Sequence, residues 1–412
     1  MGFLFEPPIE YFEKMFADLA ELDPKPTVQL FGGEPTVRKD LFEIIRLAKA
    51  ARLSVRVVTN GLKLADEDYC RRLIETKATI LFAYDGANTE TYRVLRGNAK
   101  YLETKRKALD NVARIGGAKM GVMTCVAKGF NETEVGEILQ FCHDRREFIR
   151  GIYFLPLAQT WSPDVLDLEP ERMTNEDMEV IINDCFPEER VDFVPAGVLG
   201  ELKALMDCLQ AKKPPFAGAH PNCESFYLLV SDGERYVPLS RYLKGTLPDL
   251  VRDLFAVDAR LARLRERMGF GEPGRTPPLA GVKRRGLDLR ALLVLIGVAR
   301  RHVRVGALLK GRGLTKLWHA LCLVVRTPFR RGLRKAATKH LIPQAMLQII
   351  VLPFEDNQTL ETERLERCPN AFAFYDPEAG HANGVPVCAW SQHKVPVMHR
   401  ITDYYAKQAA AK

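Results

Sequence analysis

The stretch Val28–Pro35, with the sequence VQLFGGEP, decides the fold of this chain. Its first four residues are typical of a short buried strand, and Pro35 ends that strand because proline cannot donate to a strand ladder. Gly32 and Gly33 allow a ligand to approach the backbone closely, since neither residue carries a Cβ atom. The Glu34 carboxylate can hold a cationic group such as an amine. The same four letters also fit an ordinary turn from a strand to a helix, so the surrounding pattern has to decide.

Strand and helix signals alternate around this stretch from residue 10 to about residue 160. We predict five short apolar strands, at Val28–Phe31, Val55–Thr59, Ala78–Tyr84, Lys119–Val126 and Gly151–Leu157. A helix separates each strand from the next, which is the pattern of a parallel sheet with helices outside it. The fold class is therefore α/β, with a complete or partial parallel (β/α) barrel whose functional groups meet at the carboxyl ends of the strands.

The predicted barrel covers residues 1–160, and three further segments follow it. Residues 161–268 are expected to form a helical extension and a β region, with helical periodicity at Glu169–Asp184, Val198–Leu209 and Asp258–Met268. Residues 269–345 read as a linker rich in Gly and Pro, followed by basic amphipathic helices. Residues 346–412 contain a hairpin flanked by cysteines. The last three segments together make a C-terminal α+β extension with a basic helical segment.

The basic segment carries most of the charge asymmetry of the chain. Between Lys283 and Lys339 there are 16 Lys and Arg residues and one acidic residue, Asp288, although the net charge of the whole chain is only +8. Short apolar clusters framed by Arg and Lys are typical of a helix that lies in a membrane interface. A solvated basic helical pair packed on its own domain fits equally well. Nucleic acid is disfavoured as a partner, because no binding motif accompanies the charge.

Cysteine usage and hydropathy predict a cytoplasmic protein. If the basic segment lies in a membrane interface, the contact is expected to be peripheral and on the inner face of the membrane. The nine cysteines are odd in number and widely spaced, unlike a disulfide framework. The first residues do not have the form of a signal peptide. No apolar run reaches the roughly 18 residues that a membrane-spanning helix needs.

Residues 1–160 resemble the radical S-adenosylmethionine superfamily. The resemblance rests on the strand ends, which read Gly32-Gly33-Glu34-Pro35-Thr36, Thr59-Asn60-Gly61, Asp85-Gly86 and Asn131. It implies that Gly32, Gly33 and Glu34, with Pro35, hold the methionyl amine of S-adenosylmethionine. It also implies that Asn60, Asp85 and Asn131 contact the ribose and the carboxylate of that cofactor.

Other motifs look like the branch of this superfamily that contains tetraether lipid synthase. They are Leu30–Leu41, Leu102–Lys105, His220–Cys223 and the pair Cys368 and Cys388 around an aromatic hairpin. Members of that branch modify lipid chains and carry extra iron–sulfur clusters. The resemblance implies an auxiliary [4Fe–4S] cluster held by Cys223, Cys368 and Cys388, because thiolates are the usual ligands of such clusters. The fourth ligand would be His220, Cys208 or a substrate. The alternatives are buried free cysteines or a zinc site with the same ligands.

The chain departs from the superfamily in one respect. The defining Cys-x-x-x-Cys-x-x-Cys motif, which holds the principal [4Fe–4S] cluster, does not occur in the sequence. In the family this motif follows the first barrel strand, so the sequence is interpreted as a barrel that lacks its first strand through truncation. The downstream cofactor motifs remain, which favours one contiguous loss over scattered degeneration.

The resemblance implies a radical reaction on a C–H bond of a lipid-like substrate, through a 5′-deoxyadenosyl radical and with an electron donor protein as partner. The cofactor would do the chemistry while the barrel orients it. Two rival interpretations stay open. One is an inactive remnant or a subunit completed by a partner, which binds S-adenosylmethionine or lipid. The other is an unrelated (β/α) barrel enzyme whose Gly-Gly-Glu turn binds a different amine or a phosphate.

Overall fold

The structure is a computed structural model that describes residues 5–158, 168–169, 171–209, 218–270, 280–311, 313–316, 318–319, 322, 339–341, 345–356 and 360–410. Residues 271–279 of the predicted linker and 323–338 of the predicted basic segment lie outside the described residues. The chain divides into two compact units. The first comprises Met1–Thr174 with Leu352–Lys412, and the second comprises Asn175–Val351. The four domain ranges given above stay predictions.

The first unit is built around five parallel strands that alternate with helices, as the sequence predicts. Its elements up to the fifth strand are α1 (Ile9–Glu21), β1 (Thr27–Leu30), α2 (Leu41–Ala50), β2 (Ser54–Thr59), α3 (Glu67–Glu75), β3 (Thr79–Ala83), α4 (Thr89–Arg96), α5 (Tyr101–Ile115), β4 (Met120–Val126), α6 (Val135–Asp144) and β5 (Ile149–Pro156). The strands pair in chain order, β1 to β2 through β4 to β5, and every pair is parallel.

This order confirms the predicted fold class. In a partial barrel each strand lies beside the strand that precedes it in sequence, whereas an open doubly wound sheet reverses its order. Alternate residues of β2 are buried, and the centre of β3 is buried without interruption at Ile80, Leu81 and Phe82. Helices with apolar faces cover the strands; α2, for example, buries Leu41 and Ile44. All five carboxyl strand ends therefore lie along one edge.

The C-terminal part of the first unit packs against its first helix. It contains α12 (Thr362–Glu366), the antiparallel hairpin β10 (Ala371–Asp376) and β11 (His381–Pro386), and α13 (Trp390–Ala410). The Tyr375 amide donates to the Tyr11 hydroxyl at 3.2 Å, and the Ala382 amide donates to Asp18 Oδ2 at 2.7 Å. The hairpin predicted between the two cysteines is thus present, and its Phe372 ring lies 5.7 Å from the ring of Phe31.

The second unit combines antiparallel strands with three packed helices. Its elements are α7 (Asn175–Asp184), β6 (Val194–Pro195), α8 (Lys203–Leu209), β7 (Ser225–Ser231), β8 (Tyr236–Pro238), α9 (Leu247–Arg267), α10 (Ala280–His302), α11 (Val305–Leu308) and β9 (Met346–Val351). Strand β7 pairs antiparallel with β6, β8 and β9. Helices α8, α9 and α10 share one apolar cluster that includes Leu205, Leu261 and Ala291.

Helix boundaries in this unit differ from the sequence prediction. Helix α9 begins at Leu247 rather than Asp258, because Thr246 and Asp249 form a capping box at its start. The stretch Ala196–Glu201 is a 3₁₀ turn, and α8 begins only at Lys203. Among the described residues, no helix combines the length and the hydropathy needed to cross a membrane.

Candidate functional site

The turn after β1 leaves open space above two glycines. Gly32 has φ +119° and Gly33 has φ +44°, values that L side chains rarely adopt. A Cβ atom built on either residue would have no heavy atom within 4 Å. The glycines are therefore not required by neighbouring protein atoms. They expose a stretch of backbone that a ligand can approach closely.

The Glu34 carboxylate beside these glycines joins the ends of two strands. Its Oε1 atom accepts hydrogen bonds from the Thr36 amide at 3.0 Å, the Thr36 hydroxyl at 2.6 Å and the Thr59 hydroxyl at 2.7 Å. Its Oε2 atom accepts one from the Asn60 amide at 2.6 Å. A carboxylate offers about four lone-pair sites shared between its two oxygens, so Oε2 keeps capacity for a further donor. Pro35 begins the short 3₁₀ turn that carries Thr36.

The turn after β2 is closed by packing. The Asn60 side chain accepts from the Leu62 amide at 2.9 Å through Oδ1, which fixes the turn. Gly61 has φ +79°, and a Cβ atom there would lie 2.0 Å from Cε2 of Phe82. Asn60 therefore lies beside the open Gly32–Gly33 turn, and its backbone is fixed by Glu34. Gly61 is required because the Phe82 ring occupies the space of a side chain.

Asp85, at the end of β3, is wholly buried and bound by protein donors. Arg96 of α4 donates to it through two nitrogens at 2.7 and 2.8 Å, and the Cys125 amide donates at 2.9 Å. Burial alone would raise the pKa of Asp85, but the Arg96 charge and these hydrogen bonds outweigh it and lower the pKa. The adjacent Gly86 is also closed, because a Cβ atom there would lie 1.9 Å from Glu134 Oε2.

Lys105 of α5 is buried between the same strand ends. Its Nζ atom donates to the carbonyl oxygens of Asn60 and Ala83, the latter at 2.5 Å, and lies 5.1 Å from the Phe82 ring centroid. Burial lowers the pKa of Lys105 to about 8, although the Asp85 charge opposes this shift. The ammonium group therefore ties the second strand end to the third.

Asn131 closes the loop after β4. Its Oδ1 atom accepts from the Ala127 amide at 2.8 Å, and its Nδ2 atom donates to the Cys125 carbonyl at 3.0 Å. The polar atoms of both Asp85 and Asn131 are thus bound within the protein. Their contact with the ribose or carboxylate of S-adenosylmethionine stays a prediction.

The predicted iron ligands are divided between the two units of the chain. In the first unit, burial raises the pKa of the Cys388 thiol, which also lies close enough to Cys368 to interact with it electrostatically. Cys368 Sγ donates to the Asn370 carbonyl at 3.0 Å. In the second unit, the Cys223 amide donates to the His220 carbonyl at 2.9 Å in a tight turn.

No group of three or more His, Cys, Asp or Glu side chains arranged to hold a metal ion occurs in the part of the chain that the structure describes. Neither unit by itself therefore supplies a complete ligand set for a [4Fe–4S] cluster among its described residues, whereas the glycine turn and Glu34 fit an amine-bearing cofactor. The ligand set Cys223, Cys368, Cys388 and His220 stays a prediction.

Arg96 and Lys105 were missed as parts of the site by reasoning from the sequence. Helix α4, which carries Arg96, is short and was not predicted. Lys105 did leave a signal, because it lies on the same face of α5 as the buried Leu102 and Leu109, where a charged residue is unusual.

Comparison with known proteins supports the radical S-adenosylmethionine superfamily for the first unit. Residues 2–142 match the sequence model of the Radical SAM superfamily. The chain is 31% identical over 248 residues to the 7,8-dihydro-6-hydroxymethylpterin dimethyltransferase of Methanocaldococcus jannaschii, covering 59% of this chain and 49% of that protein. It is 28% identical over 130 residues to a probable GTP 3′,8-cyclase of Methanothermobacter thermautotrophicus, covering 31% and 42%.

One shorter sequence match points the same way. The mycofactocin maturase of Mycolicibacterium smegmatis is 32% identical over 89 residues, which is 22% of each chain. The chain thus spans about half the length, or less, of these three relatives. A crystal structure of Streptococcus suis SuiB bound to S-adenosylmethionine aligns with 42% of this chain and 39% of that one, at 14% identity and a TM-score of 0.36. The comparisons do not support the narrower tetraether lipid synthase branch or the truncation.

Proposed function

We propose that this chain binds S-adenosylmethionine at the carboxyl ends of β1 and β2, as part of a radical enzyme that acts on a C–H bond of a lipid-like substrate. One observation carries the cofactor assignment. The Gly32–Gly33 turn holds open the space that two Cβ atoms would fill, immediately beside a carboxylate that is fixed in place. The superfamily match over residues 2–142 supports the same assignment.

Glu34 is preorganised to hold an ammonium group. Four hydrogen bonds from three neighbouring residues fix its position and leave little conformational freedom to lose on binding. The remaining capacity of Oε2 suits a charge-assisted hydrogen bond, which is about twice as strong as a neutral one. When bound, S-adenosylmethionine would supply its sulfonium and its 5′-deoxyadenosyl group; the glycine turn and Glu34 would hold its amino acid end.

Lys105 and Asp85 hold the strand ends of this site in place. Lys105 binds the carbonyl of Asn60, whose amide is bound to Glu34. Asp85 stabilises the buried Lys105 ammonium and the partly exposed Arg96 guanidinium. These contacts position the strand ends, so that the carboxylate and the glycine turn keep their spacing before the cofactor arrives.

No reaction step is assigned through an iron–sulfur cluster, because the described residues of neither unit alone supply a complete ligand set. Anaerobic reconstitution with iron and sulfide tests this point directly. Stoichiometric iron and sulfide, lost in the Cys368→Ser/Cys388→Ser variant, would support the cluster that the resemblance implies. Cofactor binding without iron would support the alternative of a non-catalytic binding protein or a subunit completed by a partner.

The proposed substrate class is supported by sequence resemblance alone. The motifs Leu30–Leu41 and Leu102–Lys105 resemble a branch that modifies lipid chains and so favour a lipid substrate, whereas the Methanocaldococcus relative is named for a pterin substrate. An assay of S-adenosylmethionine cleavage with an archaeal or bacterial lipid extract and with a dihydropterin separates the two. Stimulation by the pterin alone would contradict the lipid assignment and leave the cofactor site intact.

The decisive experiment for the cofactor site is calorimetric titration of the Glu34→Gln variant with two ligands. S-adenosylmethionine carries the ammonium group, whereas 5′-deoxyadenosine lacks it. If Glu34 holds the ammonium group, the affinity of the variant for S-adenosylmethionine falls at least about tenfold, because one charge-assisted hydrogen bond is lost. The affinity of the variant for 5′-deoxyadenosine is unchanged. The control is Glu43→Gln, which removes an exposed carboxylate of α2 that pairs with Arg46.

A purely structural role for Glu34 gives a different result. The variant would then weaken both ligands equally, since Thr36, Thr59 and Asn60 would lose their shared acceptor. Absence of S-adenosylmethionine binding by the unmodified chain would contradict the proposed function itself.

A further inference from the structure

Helix α10 of the second unit is apolar on two opposite sides. Its inner side buries Leu287, Ala291 and Val298 in the cluster shared with α8 and α9. A second row lies on another side: Leu289, Leu293 and Ile296, which are 55%, 59% and 38% exposed. We call these three residues the outer stripe. Their spacing of four and three residues places them along one line on the helix surface.

The outer stripe is not explained by packing among the described residues. Single exposed leucines are common on protein surfaces, but three large aliphatic side chains in line form a contiguous apolar strip. Leu314 and Trp318, which follow in the sequence, are 83% and 63% exposed. The same part of the chain thus presents apolar and aromatic side chains to its surroundings.

The exposed charged side chains that border the outer stripe are positively charged. Arg300 continues the line of the stripe one turn beyond Ile296, and Arg290 and Arg304 are exposed near its two ends. The one acidic residue of the 283–339 segment, Asp288, is half-buried rather than exposed. Arg284 and Arg301 are paired with Asp207 and Asp253, so the cationic border is made by the other three arginines.

We propose that the outer stripe of α10 is a docking surface for an anionic lipid bilayer, on which the helix lies in the plane of the interface. Leu289, Leu293 and Ile296 enter the boundary between headgroups and acyl chains, while Arg290, Arg300 and Arg304 bind anionic headgroups. This inference goes beyond the proposed S-adenosylmethionine site and does not depend on it, because it involves only residues of the second unit.

Other occupants fit the charges less well. A second copy of the chain would place one arginine border against another, which costs free energy through like-charge repulsion. A nucleic acid would bind the arginines but gain nothing from an aliphatic stripe, because single strands stack on aromatic side chains. An acidic polypeptide would meet the charge requirement, and the experiment below distinguishes it.

The test is sedimentation of the full chain with vesicles of phosphatidylcholine, prepared with and without phosphatidylserine. We expect binding to the anionic vesicles that weakens as salt is added, and much weaker binding to pure phosphatidylcholine. In the Arg300→Gln/Arg304→Gln variant the partition coefficient should fall about 25-fold, since each arginine near the surface contributes about 1 kcal/mol, or about fivefold. The matched control is Arg260→Gln/Arg267→Gln, which removes two exposed charges from α9.

A second variant tests whether the apolar side chains of the outer stripe enter the membrane interface. Leu289→Gln/Leu293→Gln should lower the partition coefficient at least about tenfold, because it removes the side chains that enter the interface. The control is Val180→Gln in α7, which changes a side chain that is 57% exposed. Circular dichroism confirms that each variant keeps its fold.

Three results would overturn the proposal. The first is no sedimentation with phosphatidylserine vesicles at low salt. The second is binding that the arginine variant weakens but the leucine variant leaves unchanged, which would mean a purely electrostatic contact. The third is a chain that binds poly-glutamate but neither kind of vesicle, which would identify an acidic polypeptide as the partner.

Discussion

Two kinds of glycine turn lie at the carboxyl edge of the parallel strands, and they differ in what surrounds them. At Gly61 and Gly86 a Cβ atom would collide with Phe82 and Glu134, at 2.0 and 1.9 Å. At Gly32 and Gly33 it would meet no heavy atom within 4 Å. All four residues have positive φ and follow a strand, so the sequence context is similar.

We interpret the difference as separating glycines that serve the fold from glycines that serve a ligand. Gly61 is required because the Phe82 ring occupies the space of a side chain, whereas Gly86 meets only the flexible end of Glu134. An open glycine with a positive φ has no packing partner, and at Gly97 and Gly116 the end of a helix explains it. No helix ends at Gly32 and Gly33, and the fixed Glu34 carboxylate lies beside them, so the comparison supports our proposal that this turn faces the cofactor.

The largest expected effect is that of Gly61→Ala on stability. The new methyl group would collide with the buried Phe82 ring, and the left-handed backbone would be strained, for a combined loss of about 4 kcal/mol in the free energy of unfolding. The measurement is urea unfolding monitored by circular dichroism. Gly97→Ala is the control, since it has φ +75° and open space and should lose only about 1 kcal/mol. Equal losses would remove the distinction between open and closed glycines.

Asp85→Asn should follow, with a loss of about 3 kcal/mol in the free energy of unfolding, because it leaves the buried Lys105 ammonium and the Arg96 guanidinium without their counter-charge. Since the folded state lowers the pKa of Asp85, its contribution is present above the unfolded value of about 3.9 and disappears as pH falls through the lower folded pKa. The control, Glu90→Gln, breaks an exposed pair with Arg93 and should change stability by less than about 0.5 kcal/mol. If Asp85→Asn leaves the free energy of unfolding unchanged, the turn after β3 does not depend on the ion pair between Asp85 and Arg96.

Lys105→Met tests the same region through pH. Between the folded pKa of about 8 and the ordinary lysine pKa of about 10.4, the unfolded chain binds a proton that the folded chain has released, so the folded state gains stability as pH rises. We expect the free energy of unfolding of the unmodified chain to rise by about 2 kcal/mol, relative to Lys105→Met, between pH 8 and 10. Parallel stability curves for the two proteins would contradict the buried ammonium.

Gly33→Ala should have the smallest effect on stability and a clear effect on binding. The new alanine would be strained at this φ, which costs about 1 kcal/mol in the free energy of unfolding. Its methyl group would occupy the open space beside the Gly32–Gly33 turn and lower the affinity for S-adenosylmethionine at least about tenfold. Gly116→Ala is the matched control, because Gly116 has φ +71° and open space at the end of α5. If both variants bind the cofactor equally well, the open turn after β1 is not its site.

Much of the first unit could be predicted from its sequence. The five strands lie within one or two residues of their predicted positions, because short apolar runs separated by helical periodicity specify a parallel sheet locally. The Gly-Gly-Glu turn was identified for the same reason, since its residues are consecutive. The local sequence pattern therefore predicts those features whose residues are neighbours both in sequence and in space.

The buried charges behind the turn could not be predicted in the same way. Asp85 meets Arg96 through the short helix α4, which was not predicted, and Lys105 meets the carbonyls of Asn60 and Ala83 only once β2 and β3 are paired. The family resemblance implies that Asp85 contacts the cofactor, and the structure adds that its carboxylate is bound by Arg96 and Cys125. Such contacts depend on tertiary packing, which a pattern along the chain does not contain.

Amide hydrogen exchange with and without S-adenosylmethionine tests the central claim most directly. At saturating cofactor, we expect exchange to slow in the peptide that spans residues 30–37, which contains the open glycines and Glu34, and to stay unchanged in the peptide that spans residues 108–117. Unchanged exchange across residues 30–37 at saturating cofactor would contradict the assignment of this turn.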